Sequence, residues 1–198
     1  MNRWTASAIA ALLVAAAVAA FAVAEAGSQP GAVCGRERWA VKTGTDLDVA
    51  LVANGVRPAT VEQLRGLTAP LRPNARQTRR FGPTELAVVE VSATLRVIKR
   101  EADGDYHLVI ADPATGHTMI AEAPDPACAV GSRFAAEIAE VRRTLDGYFG
   151  GPLSGRRVVG NVPVTIIGVP FFDALHGQEG LAPSGIELHP ILSIRVGQ

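Results

Sequence analysis

The C-terminal half of the chain contains an alternation of apolar and polar residues that is typical of β strands. Between Val89 and Ile98 almost every second residue is apolar, and the residues between them are polar. This period of two predicts a strand with one buried face. Four further strands are predicted from apolar runs bounded by Gly, Pro or Asp turns. They are Tyr106–Ala111, Thr118–Ala123, Val164–Val169 and Ile186–Val196.

One segment between these strands has a helical period instead. Phe134, Ile138, Val141 and Leu145 follow the spacing i, i+4, i+7, i+11, which predicts an amphipathic helix from near Ser132 to Gly147. The order β-β-β-α-β-β is that of an OB-fold, in which five strands close into a barrel. We therefore predict a mainly β (α+β) fold, a five-stranded OB-like barrel over residues 83–198. The alternative is an α+β sheet that carries the helix on one face.

The N-terminal region has the pattern of an export signal. A short basic start, Met1–Trp4, precedes an apolar run that ends at Ala24-Glu25-Ala26, a small-x-small cleavage pattern. Residues 1–26 are predicted to be a cleaved signal peptide, which would leave a secreted or otherwise extracytoplasmic protein without membrane attachment. The alternative is a retained anchor, because the run approaches the length of about 20 residues that a spanning helix needs.

Residues 27–82 are predicted to form an irregular extension and linker. Within it, Thr60 as N-cap and Gly66 as terminator indicate one or two helical turns. The cluster of arginines between Arg72 and Arg80 is interpreted as a solvated linker, with a phosphate-binding or membrane-surface patch as the alternative.

Charge and cysteine content restrict the function further. The 19 basic and 19 acidic residues balance, so the bulk charge gives no argument for a nucleic-acid partner. The low aromatic content argues against a stacking platform for single strands. Cys34 and Cys128 are the only cysteines, and in an exported chain such a pair favours a disulfide. A metal or redox pair is the weaker alternative because no Cys-x-x-Cys is present.

Polar residues that could carry chemistry occur in three places: the turn before the second strand and that strand itself, the loop Phe172–Gly185, and the last strand. In an OB-fold the loops joining strands 1–2 and 4–5 border the usual binding surface, so the three places are expected to converge on an unknown ligand. The candidate ligand-binding residues are Asp103, Asp105, Tyr106, His107, Asp173, His176, Glu187 and His189.

Two of these candidates share one side of the last strand. Glu187 and His189 are two residues apart and point the same way, with Ile186 and Leu188 predicted to face the core. Glu187, His189 and, by the same reasoning, His107 are therefore expected on the outward face. Imidazoles with carboxylates suit a divalent metal ion, which is the one cofactor that the sequence suggests. The predicted metal ligands are His176, Glu187 and His189.

Two alternatives to a metal site stay open. In the first, the candidate side chains are solvated, and Glu187 and His189 pair with Arg96 or Arg195. In the second, the His and Glu side chains perform acid–base catalysis. Catalytic residues are unknown at this stage, because neither a Gly-x-Ser-x-Gly elbow nor a phosphate-binding loop occurs in the sequence.

Three groups of segments together carry a resemblance to a known family. They are Trp39–Asp46 with Ala59–Leu64; Asp103–Ile110 with Thr118–Ile120 and Pro124–Cys128; and the stretch from Phe171 to Pro190, which contains His176-Gly177 and Gly185-Ile-Glu-Leu-His-Pro190. They resemble an uncharacterised family of exported bacterial proteins with a His-Gly…Gly-Ile-Glu-Leu-His-Pro signature. The resemblance implies an exported globular protein and no particular substrate.

A second, fold-level resemblance is to the thermonuclease branch of OB-folds. It rests on the element order, on the turn Asp103-Gly-Asp105 and on the segment Pro124-Asp-Pro126, which ends the third predicted strand. That family uses Ca²⁺-binding carboxylates, a general-base Glu and two phosphate-clamping arginines, and here no Arg lies between Tyr106 and Ala127. The sequence thus predicts a ligand-binding or structural OB-like module. The alternative is a metal-dependent hydrolase, with phosphodiesters as a candidate substrate class, that uses Asp105, His107, Asp173, His176, Glu187 and His189.

Overall fold

The computed structural model describes residues 33–71 and 77–197, which all belong to one compact unit. The predicted signal peptide, residues 27–32 and part of the arginine cluster lie outside the described residues. The six strands are β1 (Val56–Ala59), β2 (Val88–Arg100), β3 (Tyr106–Ala111), β4 (Thr118–Ala123), β5 (Arg156–Phe172) and β6 (Ile186–Val196).

The protein is mainly β, with one six-stranded mixed sheet in the order β1-β2-β3-β4-β6-β5 and an additional pairing between β2 and β5. The pairs β1–β2 and β4–β6 are parallel, and the other pairs are antiparallel. The bounds predicted for β3, β4 and β6 are confirmed. Strand β5 is much longer than Val164–Val169, because its first half is largely exposed and lacks the apolar alternation by which strands are recognised.

The strand order begins with β1, which the sequence did not predict. This four-residue strand pairs with β2 inside the region that was expected to be irregular. The expectation of an irregular extension is therefore wrong here. The strand is mostly exposed and contains Pro58, and a four-residue run with a proline is a poor signal for a strand even though sheet edges tolerate it.

Three α-helices accompany the sheet: α1 (Trp39–Thr43), α2 (Val61–Arg65) and α3 (Ala135–Phe149). The turns predicted at Thr60 are confirmed as α2, and Thr60 and Gln63 form a reciprocal capping box. Helix α3 runs two residues past Gly147 and ends at Gly150, whose φ of 78° is the left-handed conformation that glycine adopts readily. Its predicted apolar face is buried and packs against β6 and β4.

The N-terminal region is joined covalently to the sheet region. Cys34 and Cys128 form the predicted disulfide, with their Cα atoms 5.6 Å apart. The bridge connects the segment before α1 to the short 3-10 helix that follows β4.

The middle of the sheet is buried on both faces. Every residue of β3 is buried, and so is every residue of β6 from Ile186 to Ile191. The prediction that His107, Glu187 and His189 face outward is therefore wrong, since their exposed fractions are 0%, 1% and 0%. The face that was expected to be solvated is covered because α1 contacts β6 and the loop after β5 reaches β3.

Candidate functional site

Strand register brings two histidines to one carboxylate. His107 on β3 lies directly opposite Glu122 on β4, so the two side chains lie on the same face of the sheet. Strand β6 runs parallel to β4 with Ala121 paired to Leu188, which places His189 beside Glu122. The five residues Asp105, His107, Glu122, Glu187 and His189 are called the buried cluster below.

Within the buried cluster, both oxygens of Glu122 are engaged. Its Oε1 lies 2.8 Å from Nδ1 of His107, and its Oε2 lies 3.0 Å from Nδ1 of His189. The same nitrogen of His189 is 3.1 Å from Oε1 of Glu187. Glu122 is therefore the shared carboxylate that joins the two imidazoles.

The second nitrogen of His107 determines its protonation. Nε2 lies 2.9 Å from the backbone oxygen of Glu179, and a carbonyl oxygen only accepts, so Nε2 carries a proton and donates it. Burial acts to lower the pKa of His107, but the hydrogen bond and charge of Glu122 raise it above its ordinary value. His107 thus donates from Nε2 to the Glu179 carbonyl, and Glu122 favours its charged form.

The three carboxylates around His189 have the same effect on that residue. Burial alone would lower the pKa of His189, but Asp105, Glu122 and Glu187 raise it well above the ordinary value. The pKa of Glu187 is raised to about 7 by burial and by the negative charge of Glu122. In the buried cluster the carboxylates therefore favour the charged forms of both imidazoles, while burial and Glu122 favour the neutral form of Glu187.

Two atoms of the buried cluster lack a hydrogen bond among the described residues. They are Oδ2 of Asp105 and Nε2 of His189, both buried, and they face each other at 3.5 Å. The other oxygen of Asp105 accepts the backbone N–H of Asp125 at 2.8 Å. At this distance the two atoms form a long ion pair when His189 is charged, and neither has a closer partner among the described residues.

A pocket of about 390 Å³ opens above the buried cluster. Glu122 belongs to the pocket as well as to the buried cluster, because its side chain lines the pocket and remains 12% exposed. The walls come from the segment at the disulfide, from α1, from the loop after β2 and from the loop after β5. The charged and polar side chains in these walls are Arg36, Glu37, Lys42, Glu101, Asp103, Glu122, Asp173, His176 and Gln178, and Trp39 adds an aromatic ring.

Lys42 is a half-buried cation in the wall of the pocket. Its Nζ lies 3.0 Å from Oδ2 of Asp173. Burial acts to lower the pKa of Lys42, but Glu187, Glu122 and Asp173 raise it above the ordinary value, so the amine stays charged. The pKa of Asp103 is raised by burial and by the nearby charge of Asp105.

The structure separates the predicted site residues into two layers. Asp103, Asp173 and His176 line the pocket, whereas Asp105, His107, Glu187 and His189 lie in the buried cluster. Tyr106 belongs to neither layer. It is 1% exposed, and its hydroxyl donates to Asp146 at 2.6 Å and accepts from the N–H of Leu153.

The predicted metal ligands are not all brought together. The described residues contain two groups whose ligand atoms lie within 4.8 Å of one another: Glu101, His107 and Glu122, and Asp105, Glu122 and His189. His176 and Glu187 belong to neither group. His176 is exposed, and its Nε2 lies 2.7 Å from Nε2 of Gln178.

The predicted arginine partners of Glu187 and His189 are also engaged elsewhere. Arg195 pairs with Glu90 and Arg96 with Asn161, so the expectation that either arginine neutralises the last-strand pair is wrong. The cation near Glu187 is Lys42, a residue that sequence reasoning missed together with Glu101 and Glu122. Only Glu122 had a signal, as a lone acid in an otherwise apolar strand.

Comparison with protein-family models, with curated proteins and with solved structures finds no match for this chain. In the part of the chain that the structure describes, no helix has the length and apolarity needed to cross a membrane. The disulfide is consistent with an extracellular location.

Proposed function

We propose that this chain is an exported, OB-like binding module that holds a cationic ligand in the pocket above the buried cluster.

Two observations support the OB-like architecture. Strand β2 pairs with both β3 and β5, so the pairings β2-β3-β4-β6-β5 return to β2, and α3 lies between β4 and β5 in the chain. Both features are those of a five-stranded OB barrel. The N-terminal signal pattern and the disulfide support export.

The excess of carboxylates in the pocket walls carries the proposal. Lys42 is neutralised by Asp173. The other charged residues of the lining are the acids Glu37, Glu101, Asp103 and Glu122 and the base Arg36. Glu101 pairs with Lys99 at 2.8 Å, and Glu122 contacts His107 and His189, so the acids Glu37 and Asp103 stand against the single base Arg36. A concave surface with one dominant sign of charge concentrates ions of the opposite sign.

The position of the pocket also supports binding. Glu101 and Asp103 come from the loop after β2, and Asp173 and His176 come from the loop after β5. In an OB barrel these are the loops joining strands 1–2 and 4–5, which form the usual ligand site. This position of the pocket supports a binding function.

Calorimetric titration of the purified protein tests the proposal. Zn²⁺ represents metal cations and tetramethylammonium represents organic ones. We expect at least one of the two to bind, and to bind about tenfold or more weakly when Glu101 and Asp103 are replaced together by Gln and Asn. Glu140→Gln removes an exposed acid of α3 and should leave the affinity unchanged. Absence of binding by both cations would refute the proposal.

Metal-dependent hydrolysis of a phosphodiester is the second candidate. One observation favours it: both convergent His–carboxylate groups include Glu122, which borders the pocket, and Arg36 is the one arginine among the described lining residues. A metal-bound water would supply the nucleophile and Arg36 would contact the phosphate. Hydrolysis of bis(p-nitrophenyl) phosphate that requires Mn²⁺ or Zn²⁺ and is lost in Arg36→Ala would support this function. No turnover with either metal would exclude it for simple diesters.

A further inference from the structure

We propose that Asp105, Glu122 and His189 bind one zinc-type divalent cation at the inner end of the pocket. The inference rests on the proposed cation-binding function and names its ligand. Each of the three residues offers one ligand atom, and these atoms lie within 4.8 Å of one another. They come from three separate places in the chain, namely the turn before β3, strand β4 and strand β6. The tertiary fold therefore assembles the group, and no local turn produces it.

The two unpartnered atoms provide the second, independent observation. Oδ2 of Asp105 and Nε2 of His189 are fully buried and make no hydrogen bond among the described residues. Their separation is 3.5 Å. Two ligands that each lie about 2.1 Å from a tetrahedral zinc ion are about 3.4 Å apart. The separation of the two atoms therefore matches that of neighbouring ligands around one such ion. Glu122 contacts the other nitrogen of His189, Nδ1, at 3.0 Å, so this carboxylate would complete the set by turning toward Nε2.

The second oxygen of Asp105 is held in a way that suits a metal ligand. Oδ1 accepts the backbone N–H of Asp125 at 2.8 Å, which fixes the carboxylate so that Oδ2 points toward His189. Hydrogen bonds of this kind orient metal-binding carboxylates in known sites. Asp105 is thus rigid before any ion arrives.

The other convergent group fits an ion less well. In the group Glu101, His107 and Glu122, both nitrogens of His107 already face acceptors, Glu122 at 2.8 Å and the Glu179 carbonyl at 2.9 Å. A metal ion there would have to displace a hydrogen bond. No atom of His107 is left without a partner, so the observations favour the group that contains His189.

The ligand types select the class of ion. An imidazole nitrogen with two carboxylates suits Zn²⁺ and its first-row neighbours, whereas Ca²⁺ and Mg²⁺ prefer oxygen ligands alone. Three protein ligands would leave one of the four coordination positions of a tetrahedral zinc ion open. Glu122 lines the pocket, so the open position would face the pocket and would be available to water or to a ligand.

Metal uptake by the chelator-treated protein provides the test. Titration with ZnCl₂ should show one ion per chain, and CoCl₂ should produce the intense visible absorption of tetrahedral cobalt. X-ray absorption of the zinc-loaded protein should show nitrogen and oxygen neighbours and no sulfur. This spectroscopic measurement needs no variant, so it tests the site even if a substitution prevents folding.

Substitutions identify the ligands. His189→Gln and Asp105→Asn should each weaken zinc binding about a hundredfold or more, since loss of an outer-shell partner alone costs about 10–100-fold. The matched control is His117→Gln, which changes an exposed histidine paired with Glu62 outside the pocket and should shift the affinity by less than about threefold. His176→Gln tests the pocket histidine in parallel. Circular dichroism of the metal-free variants checks that they fold.

Three outcomes separate the two proposals. If tetramethylammonium binds and zinc does not, the metal site is refuted and the cation-binding function stands. If neither binds, both are refuted. If zinc binds but depends on His176 and not on His189 or Asp105, the function stands and the assigned ligands are wrong.

Discussion

The guanidinium of Arg38 and the carboxylate of Glu85 meet in the interior as a two-pronged ion pair. The distances Nη1–Oε1 and Nη2–Oε2 are both 2.7 Å, and the two side chains are 2% and 0% exposed. Arg38 also lies over the rings of Phe81 and Phe171, and Glu85 accepts the backbone N–H of Phe172. The pair therefore fixes the two segments that carry Trp39 and Asp173 into the pocket wall.

Removing one member of this pair is expected to be costly. Glu85→Gln should lower the free energy of unfolding by about 3–5 kcal/mol, because it leaves the Arg38 charge buried without its counter-ion. Urea unfolding measures the change. The control is Glu140→Gln, which breaks an exposed pair with Arg143 and should cost less than about 0.5 kcal/mol. Similar effects of the two substitutions would show that burial does not set the cost.

The disulfide is expected to stabilise the fold and to shape the pocket. Cys34 and Cys128 are separated by 94 residues in sequence, for which chain entropy predicts about 4–5 kcal/mol. Replacing both by Ser should lower the free energy of unfolding by up to this amount. Cation affinity should also fall, because Cys34 and its neighbours line the pocket. Unchanged affinity in a folded double variant would show that this wall forms without the bridge.

Two glycines in the loop after β5 allow a matched comparison. Both have positive φ, 82° at Gly177 and 72° at Gly185. A Cβ at Gly177 would meet no atom, whereas one at Gly185 would lie 2.4 Å from the backbone oxygen of Asp173. Gly177→Ala should cost about 1–2 kcal/mol for the left-handed backbone. Gly185→Ala should cost roughly 1–3 kcal/mol more, since overpacking adds to it. Thermal unfolding of the two variants checks the difference, and equal melting temperatures would contradict it.

Asp48 is expected to make stability depend on acidic pH. A hydrogen bond from Arg79 and the backbone N–H of Arg80 hold the pKa of Asp48 below its ordinary value. Because the folded pKa is lower than the unfolded one, near 4, the carboxylate stabilises the fold above about pH 4. This contribution is lost as the pH falls through the folded pKa. Asp48→Asn should therefore lower the melting temperature at pH 7, and the difference from the parent should shrink on acidification. A constant difference across this range would contradict the assignment.

The sequence predicted the local elements where a segment's own pattern decides its structure. The bounds of β3, β4 and β6 followed from apolar runs between turns, and the start of α2 followed from Thr60, whose side chain caps its own helix. The disulfide followed from the presence of only two cysteines in a chain whose sequence predicts export. Strand β1 and the first half of β5 were missed, because exposed strands carry no apolar alternation.

The candidate site was predicted only in part, for a physical reason. A period of two shows that Glu187 and His189 share a side of β6, and the structure agrees. The period does not show whether that side meets water, because this depends on α1 and on the loop after β5, which come from distant parts of the chain. The same holds for Glu122, which becomes the centre of the cluster only because β3 and β6 pair on either side of β4. Local sequence thus determined the strands and the bridge, whereas tertiary packing alone decided which polar groups are buried together.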